Sequence, residues 1–409
     1  MRAALVAVTI AVIVTLVVVG TMLRVVTADD PEDQSPQSVE PSADIARPAP
    51  LAAPVSPTGD AAFDAGVTEV ARFVETARGH PFRDPVRVEL VDDELFTRLL
   101  LVDFSSGVDE LRTTEVALKA LGILPPRADL VSEVERSLSA GVIGFYDPST
   151  AQLVIRGTAL TPFTRSTLAH ELTHALDDQW FDLDRSELDH ADSEQQFGFQ
   201  ALVEGSATWV ERRWSESRSA TERAAAITES REFASDMDTS GFSLTVIQII
   251  ESPYSLGLDF VGHLVAADGV AGIDDAFDTP PISSEQVIHP ERYVAGEAVL
   301  AMIAPPADGP SIDEGILGEL DLTQVLSTSL APAVARAAGE GWGGDRYVVW
   351  RSASGASCLR LDVVGDSPQD SEEIADSLRQ WTEAQTGPSR PEASVVALAS
   401  GVTRFTTCN

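Results

Sequence analysis

The stretch Leu168-Ala-His-Glu-Leu-Thr-His-Ala-Leu-Asp-Asp-Gln-Trp180 sets His170, Glu171 and His174 in the spacing His-Glu-x-x-His. A helix turns about 100° per residue, so His170 and His174 lie about 40° apart on one face, one above the other. Two imidazole nitrogens placed this way can reach one ion at about 2.0–2.1 Å. Glu171, beside the first histidine, is placed to take a proton from an attacking water and pass it to a leaving amine. Leu172 and Thr173 carry no charge, and Phe163, Leu168, Leu172, Ala175 and Leu176 can turn toward a core. That is what a half-buried metal helix requires.

A catalytic metal of this kind takes a third protein ligand and leaves one position open. A downstream histidine in the His-Glu-x-x-His-x-x-Gly-x-x-His pattern is one source, but Asp177 and Trp180 occupy the positions where Gly and His would stand. Glu204, within Ala201-Leu-Val-Glu-Gly-Ser-Ala-Thr-Trp-Val210, is the expected third ligand. A lone carboxylate among apolar neighbours is costly to bury unless it is paired or on a metal. Gly205, Ser206 and Ala207 would let its helix come close to the first. Asp189, His190 and Glu194 are rival ligands in or beside the acidic connection after Asp182. Asp178, four residues after His174, could orient that ring. Hydrolysis also needs a donor for the developing oxyanion. His289 and Tyr293, in Pro280-Pro-Ile-Ser-Ser-Glu-Gln-Val-Ile-His-Pro-Glu-Arg-Tyr293, are the expected donors, with Tyr254 a further candidate.

The elements that must carry these residues read as an α+β fold. Apolar spacing predicts a helix over 60–78, a strand over 86–91, and helices near 92–101 and 107–121. Residues 142–155 form two apolar arms around Asp147-Pro148-Ser149-Thr150, a β-hairpin signal. Helices follow over 162–178, 190–216, 218–235, 241–252 and 256–268. Strands at 345–352, 358–364 and 402–408 accompany a helix over 370–385. A mostly helical body with a small antiparallel sheet edging the motif helix would span 60–340. A small α+β C-terminal portion would span 341–409.

Residues Ala3 to Leu23 run without a charge between Arg2 and Arg24. As a helix they would extend roughly 31 Å, enough to cross a bilayer core of about 30 Å. Residues 1–24 are therefore expected to form an uncleaved transmembrane helix, with the rest of the chain extracytoplasmic. Residues 25–59 hold seven prolines, Pro31 to Pro57, among acids, serines and alanines, and read as an extended linker,. Cys358 and Cys408, the two cysteines of the chain, suit one disulfide in an exported protein,. A formal net charge of −36 argues against nucleic acid and anionic membrane surfaces as partners and favours basic substrates,.

With these residues in place, the chain resembles the gluzincin-type zinc metallopeptidases. It is closer still to membrane-anchored bacterial proteins carrying a metallopeptidase-like domain. The likeness rests on His170-Glu-Leu-Thr-His174 and Glu204-Gly-Ser-Ala207, and on Gly144-Phe-Tyr-Asp147, Ser284 to Tyr293 and Gly341-Trp-Gly-Gly-Asp345. It implies a zincin-like body, Zn2+ on His170, His174 and Glu204, Glu171 as general base, and a peptide or protein substrate added along the hairpin's edge. It departs from the family in having Thr208 four residues after Glu204, where an Asp would stand. The expectation is a membrane-anchored, extracytoplasmic zinc peptidase. The rival reading is a catalytically silent zinc-binding envelope protein that scaffolds or binds.

Overall fold

The computed structural model describes residues 13–16, 51, 53–104, 107–188, 191–236, 244–385, 392–398 and 401–409. The expected anchor and most of the linker lie outside these residues. The four anchor residues that are described, Ile13–Leu16 (β1), form a strand instead of a helix.

Asp60 caps α1 (Ala61–Arg78) by accepting from the N–H groups of Ala62 and Phe63,. Then come β2 (Arg87–Val91), α2 (Asp93–Phe104), α3 (Val108–Ala120) and α4 (Leu130–Gly141). Helix α4 was not anticipated, although Asp129 caps it and Leu130, Val134 and Leu138 recur at helical spacing. The hairpin forms as expected from β3 (Val142–Asp147) and β4 (Gln152–Arg156), its turn held by Asp147 accepting from Ser149 N–H at 2.9 Å.

The first sheet has the order β1-β3-β4-β2. It is mixed, which corrects the antiparallel expectation: β2 runs parallel to β4, with Arg87 opposite Gln152 and Val91 opposite Arg156. Three helices separate β2 from the hairpin, and a crossover of that length lets the strands align in the same direction. On the other side β1 pairs antiparallel along the outer edge of β3, Ile13 opposite Tyr146.

A helical layer follows: α5 (Pro162–Phe181), α6 (Ser193–Ser217), α7 (Ala220–Asp236) and α8 (Leu244–Asp268). Helix α5 opens on a reciprocal cap between Thr161 and Thr164, with Pro162 in its first turn,. Helix α8 runs unbroken through Pro253, where two helices were expected. A proline leaves the carbonyl four residues earlier without its N–H partner. Here Ser252 Oγ donates to Ile249 O at 3.0 Å and fills that gap.

Next come α9 (Ala271–Asp278), α10 (Ser284–Ile288), α11 (Pro290–Ala295), β5 (Ser311–Gly315), α12 (Gly318–Ser327) and α13 (Pro332–Glu340). The chain ends with β6 (Trp342–Arg351), β7 (Ser357–Gly365), α14 (Pro368–Ala384), β8 (Glu392–Ala397) and β9 (Thr403–Cys408). The second sheet is antiparallel in the order β5-β6-β7-β9-β8, so it recruits β5 from ahead of Gly341. Cys358 stands opposite Cys408 across β7 and β9, and the expected disulfide joins them.

One apolar core joins α2–α4 to this C-terminal sheet, with Phe96, Leu118 and Phe145 packed among Trp342, Leu359 and Phe405. A second lies under α5, where Leu168, Leu172 and Leu176 meet Val67, Val70 and Val74 of α1. A third fills the space between α6 and α8.

Buried carboxylates line the seam between body and C-terminal sheet. Glu194 accepts from Ser284 N–H and Oγ, both at 2.7 Å. Gly318, at φ 79°, passes so close that a Cβ there would stand 2.2 Å from Glu194 Oε1. Asp345 accepts from Leu317 N–H, Gly318 N–H and Trp342 Nε1. Burial, and then the neighbouring Asp345, push Asp321 up to about 8; burial pushes Asp345 up to about 6. Carboxyls raised in the folded state hold protons that the unfolded chain has lost, so their contribution to stability falls as pH climbs from about 4 to about 8. Asp321→Asn should therefore melt above the parent, and its advantage should grow from pH 5 to pH 8. Thermal melts at both values check this, and an advantage that does not grow with pH would contradict it.

Candidate metal centre

Helix α5 is buried on nearly every side from Phe163 to Asp177, so the motif histidines have no route to water along its surface. His170, Glu171 and His174 are 0% exposed and Glu204 is 2% exposed. Helix α6 runs antiparallel to α5 and brings Glu204 opposite the two rings. Glu204 Oε2 lies 3.2 Å from His170 Nε2 and 3.5 Å from His174 Nε2. Ligands about 2.0–2.1 Å from one tetrahedral ion stand about 3.3–3.4 Å apart. The three side chains are thus spaced as a metal would require, and they are the one such group among the described residues. His174 Nε2 is buried without a hydrogen-bond partner, which also fits a site made for an ion,.

The charges follow from burial and pairing. Burial opposes the charged form of His170, but hydrogen bonds to Glu204 and Glu211 outweigh it and lift the ring to about 10. His174, dominated by burial, is pushed down to about 4. Burial also opposes ionisation of Glu204, yet the two imidazoles hold its carboxyl below the usual range. Without a metal, a proton on His170 balances Glu204. Metal ligation needs neutral imidazoles. Loading the metal-free chain near pH 7 should therefore release about one proton per ion. Calorimetry in buffers of different ionisation enthalpy reads that number, and a value near zero would contradict the charge assignment.

Three contacts set this geometry. The first is a latch between the ligand helices. Asp177, one turn beyond His174, accepts from Ser206 Oγ at 2.7 Å and from the wholly buried Arg78 at 2.8 Å. Ser206 lies two residues after Glu204, so the latch fixes how far the carboxylate reaches along α5. The second is the crossing of α6 and α8. A Cβ on Gly205 would stand 2.2 Å from Gly257 O, and one on Gly257 would stand 2.0 Å from Ala201 O. The expected approach of Gly205 to the motif helix is corrected here: its neighbour is α8, and Ser206 meets α5. The third is Gly144 of β3, where a Cβ would stand 3.1 Å from Glu171 Cγ and 2.8 Å from Thr167 Cγ2. The hairpin packs directly on Glu171 because this residue has no side chain.

The structure brings His170, Glu171, His174 and Glu204 together. Asp178 does not orient His174; it accepts from Tyr146 OH at 2.7 Å and Leu183 N–H at 2.9 Å. The carboxylate that supports a ligand ring is Glu211, 3.3 Å from His170 Nδ1. It lies seven residues, two helical turns, after Glu204, a spacing that was legible but passed over. Neither expected oxyanion donor reaches the ligands. His289 Nε2 faces Glu319 at 3.0 Å, and Tyr293 OH donates to Thr279 O at 2.8 Å. Their segment serves as a clasp instead, since Arg292 reaches Glu285, Glu297 and Asp366. The ring beside His170 is Tyr254, nearly parallel to it with centroids 6.1 Å apart. Asp189 and His190 lie outside the described residues, and Glu194 is committed to Ser284. Arg78 had no signal in the sequence, for it lies 99 residues from Asp177.

Residues 304–407 match a domain of unknown function, DUF8575. That stretch covers the C-terminal sheet and leaves every ligand outside it. Neither the curated proteins nor the solved structures hold a match to this chain.

Proposed function

We propose that the chain is a zinc-dependent peptidase, membrane-anchored and extracytoplasmic, with His170, His174 and Glu204 as its metal ligands. The observation that carries this reading is the general base: a metal-spaced triad with Glu171 directly beside it, buried under Gly144 of the hairpin. A zinc ion held there would supply Lewis-acid polarisation of a carbonyl and make water acidic enough to attack. Glu171 takes the proton from that water and delivers it to the departing amine. Tyr254, beside His170, is the donor for the oxyanion in place of His289 and Tyr293. Here Ile13–Leu16 lies antiparallel along the outer edge of β3 with a register shift at Leu16. With those residues in the membrane anchor, that edge would take a peptide substrate.

The silent zinc-binding reading is favoured by one observation, the depth of the site. With the base and all three ligands this deeply covered, a substrate must displace something to enter. Metal analysis and a peptide-library assay on the full-length chain separate the two readings. The peptidase reading expects about one zinc per chain, lost in Glu204→Ala. It also expects turnover that Glu171→Gln abolishes while zinc is retained. Zinc without any turnover in the parent leaves the silent reading. Tyr254→Phe should keep the metal and lower kcat about 100-fold, the usual cost of one oxyanion donor. An unchanged kcat would remove Tyr254 from that role.

A further inference from the structure

A cavity of about 270 Å³ opens between the first turn of α5, the last turn of α6 and the first half of α7. Ser166 lies one turn before His170 and about 40° round the same helix, and Ser215 lies one turn after Glu211. Both serines line the cavity, and so do Arg165, Arg218 and Arg223.

Three guanidinium groups in one cavity are unusual in a chain with 28 basic against 64 acidic residues. Two of them are held in place. Arg218 stacks on Trp214 with its guanidinium carbon 3.9 Å from the ring centre. Arg165 and Arg218 share Glu69 of α1, at 3.0 and 2.8 Å, which keeps them side by side. Glu69 is half exposed and sits at the rim. The acid within the lining, Glu222, is turned to the start of its own helix, where it accepts from Ser219 N–H at 2.9 Å and Ser219 Oγ at 2.6 Å. The hydroxyls of Ser166 and Ser215 make no side-chain hydrogen bond to any described residue. Arg218 also gives Nε and Nη2 to Ser217 Oγ, and Arg223 gives Nη1 to Arg218 O. The donors left in the cavity are the remaining N–H groups of Arg165 and Arg223 and the two serine hydroxyls, a set that suits a carboxylate.

We propose that this cavity is an anion subsite that takes a carboxylate of an acidic peptide, next to the metal centre. The inference rests on the peptidase reading for its meaning as substrate selection, though not for the binding itself. It reverses the preference for basic substrates that the net charge suggested. A chain of net charge −36 repels an acidic peptide on the whole, so a cluster of arginines would dictate where such a peptide can settle,.

The test reads binding without turnover, on the full-length chain labelled with 15N in arginine. The probes are small: N-acetylglutamate α-amide offers only a side-chain carboxylate, and N-acetylglutamine only an α-carboxylate. N-acetylglutaminamide offers neither. Saturable shifts of the Arg165, Arg218 and Arg223 Nε–H signals are expected with one or both acids and not with the neutral control. The acid that binds better tells an acidic side chain from a peptide C-terminus. Arg223 is exposed and outside the Glu69 pairing, so Arg223→Gln should weaken binding on the order of tenfold without changing the melting temperature or metal content. Absence of saturable shifts, equal shifts with the neutral control, or binding untouched by Arg223→Gln would overturn the subsite. Binding without peptide hydrolysis would keep the subsite and sink the peptidase reading instead.

Discussion

Two imidazoles and two carboxylates with almost no access to water are expensive to bury, and the rest of the body is arranged around them. Each polar atom removed from water must find a partner or cost several kcal/mol. Here Glu204 lies between two rings and Glu211 behind one of them, while both ring nitrogens of His174 are left without a hydrogen bond. Their surroundings must then stay put, because a helix that slid by one residue would separate the carboxylate from the rings. The Asp177–Ser206 bond sets that register, and Arg78 neutralises Asp177 from the other side.

Close packing fulfils the same demand sterically. Helix α5 can be covered all round only if its neighbours come very near, and they do so at positions without side chains. Gly144 lets the hairpin lie on Glu171, while Gly205 and Gly257 let α8 settle against α6 and carry Tyr254 toward His170. The proline in α8 is tolerated because Ser252 satisfies the carbonyl it leaves bare. Backbone chemistry and the spacing of the buried triad are therefore met by the same few small residues.

Much of this was legible from local pattern. The motif helix and the hairpin follow from spacing, because each depends on residues a turn or a strand apart, and Glu204 was legible as a lone carboxylate in an apolar helical stretch. What escaped depends on long-range contacts. Arg78 reads as an ordinary charge at a helix end until α1 packs against α5, and only then does it become a buried counter-ion. His289 and Tyr293 looked functional because polar and aromatic residues cluster there. In the fold His289 pairs with Glu319 and Tyr293 with Thr279 O, and it is Arg292 that reaches Asp366 beside the C-terminal sheet. The parallel pairing of β2 was hidden for a related reason, since strand direction is decided by the length of the intervening helices and not by the strand's own residues.

The core that joins α2–α4 to the C-terminal sheet also has a bearing on how the protein is made. Thr407 Oγ1 donates to Ala120 O, and Asn409 Nδ2 to Lys119 O, both at 3.0 Å. Helix α3 is thus covered by residues that lie 287 and 290 positions further along the chain. The early helices keep apolar faces uncovered until β9 has been made and has folded back onto them. These helices cannot finish packing as they emerge, and the Cys358–Cys408 bond seals the β7–β9 pairing that covers them.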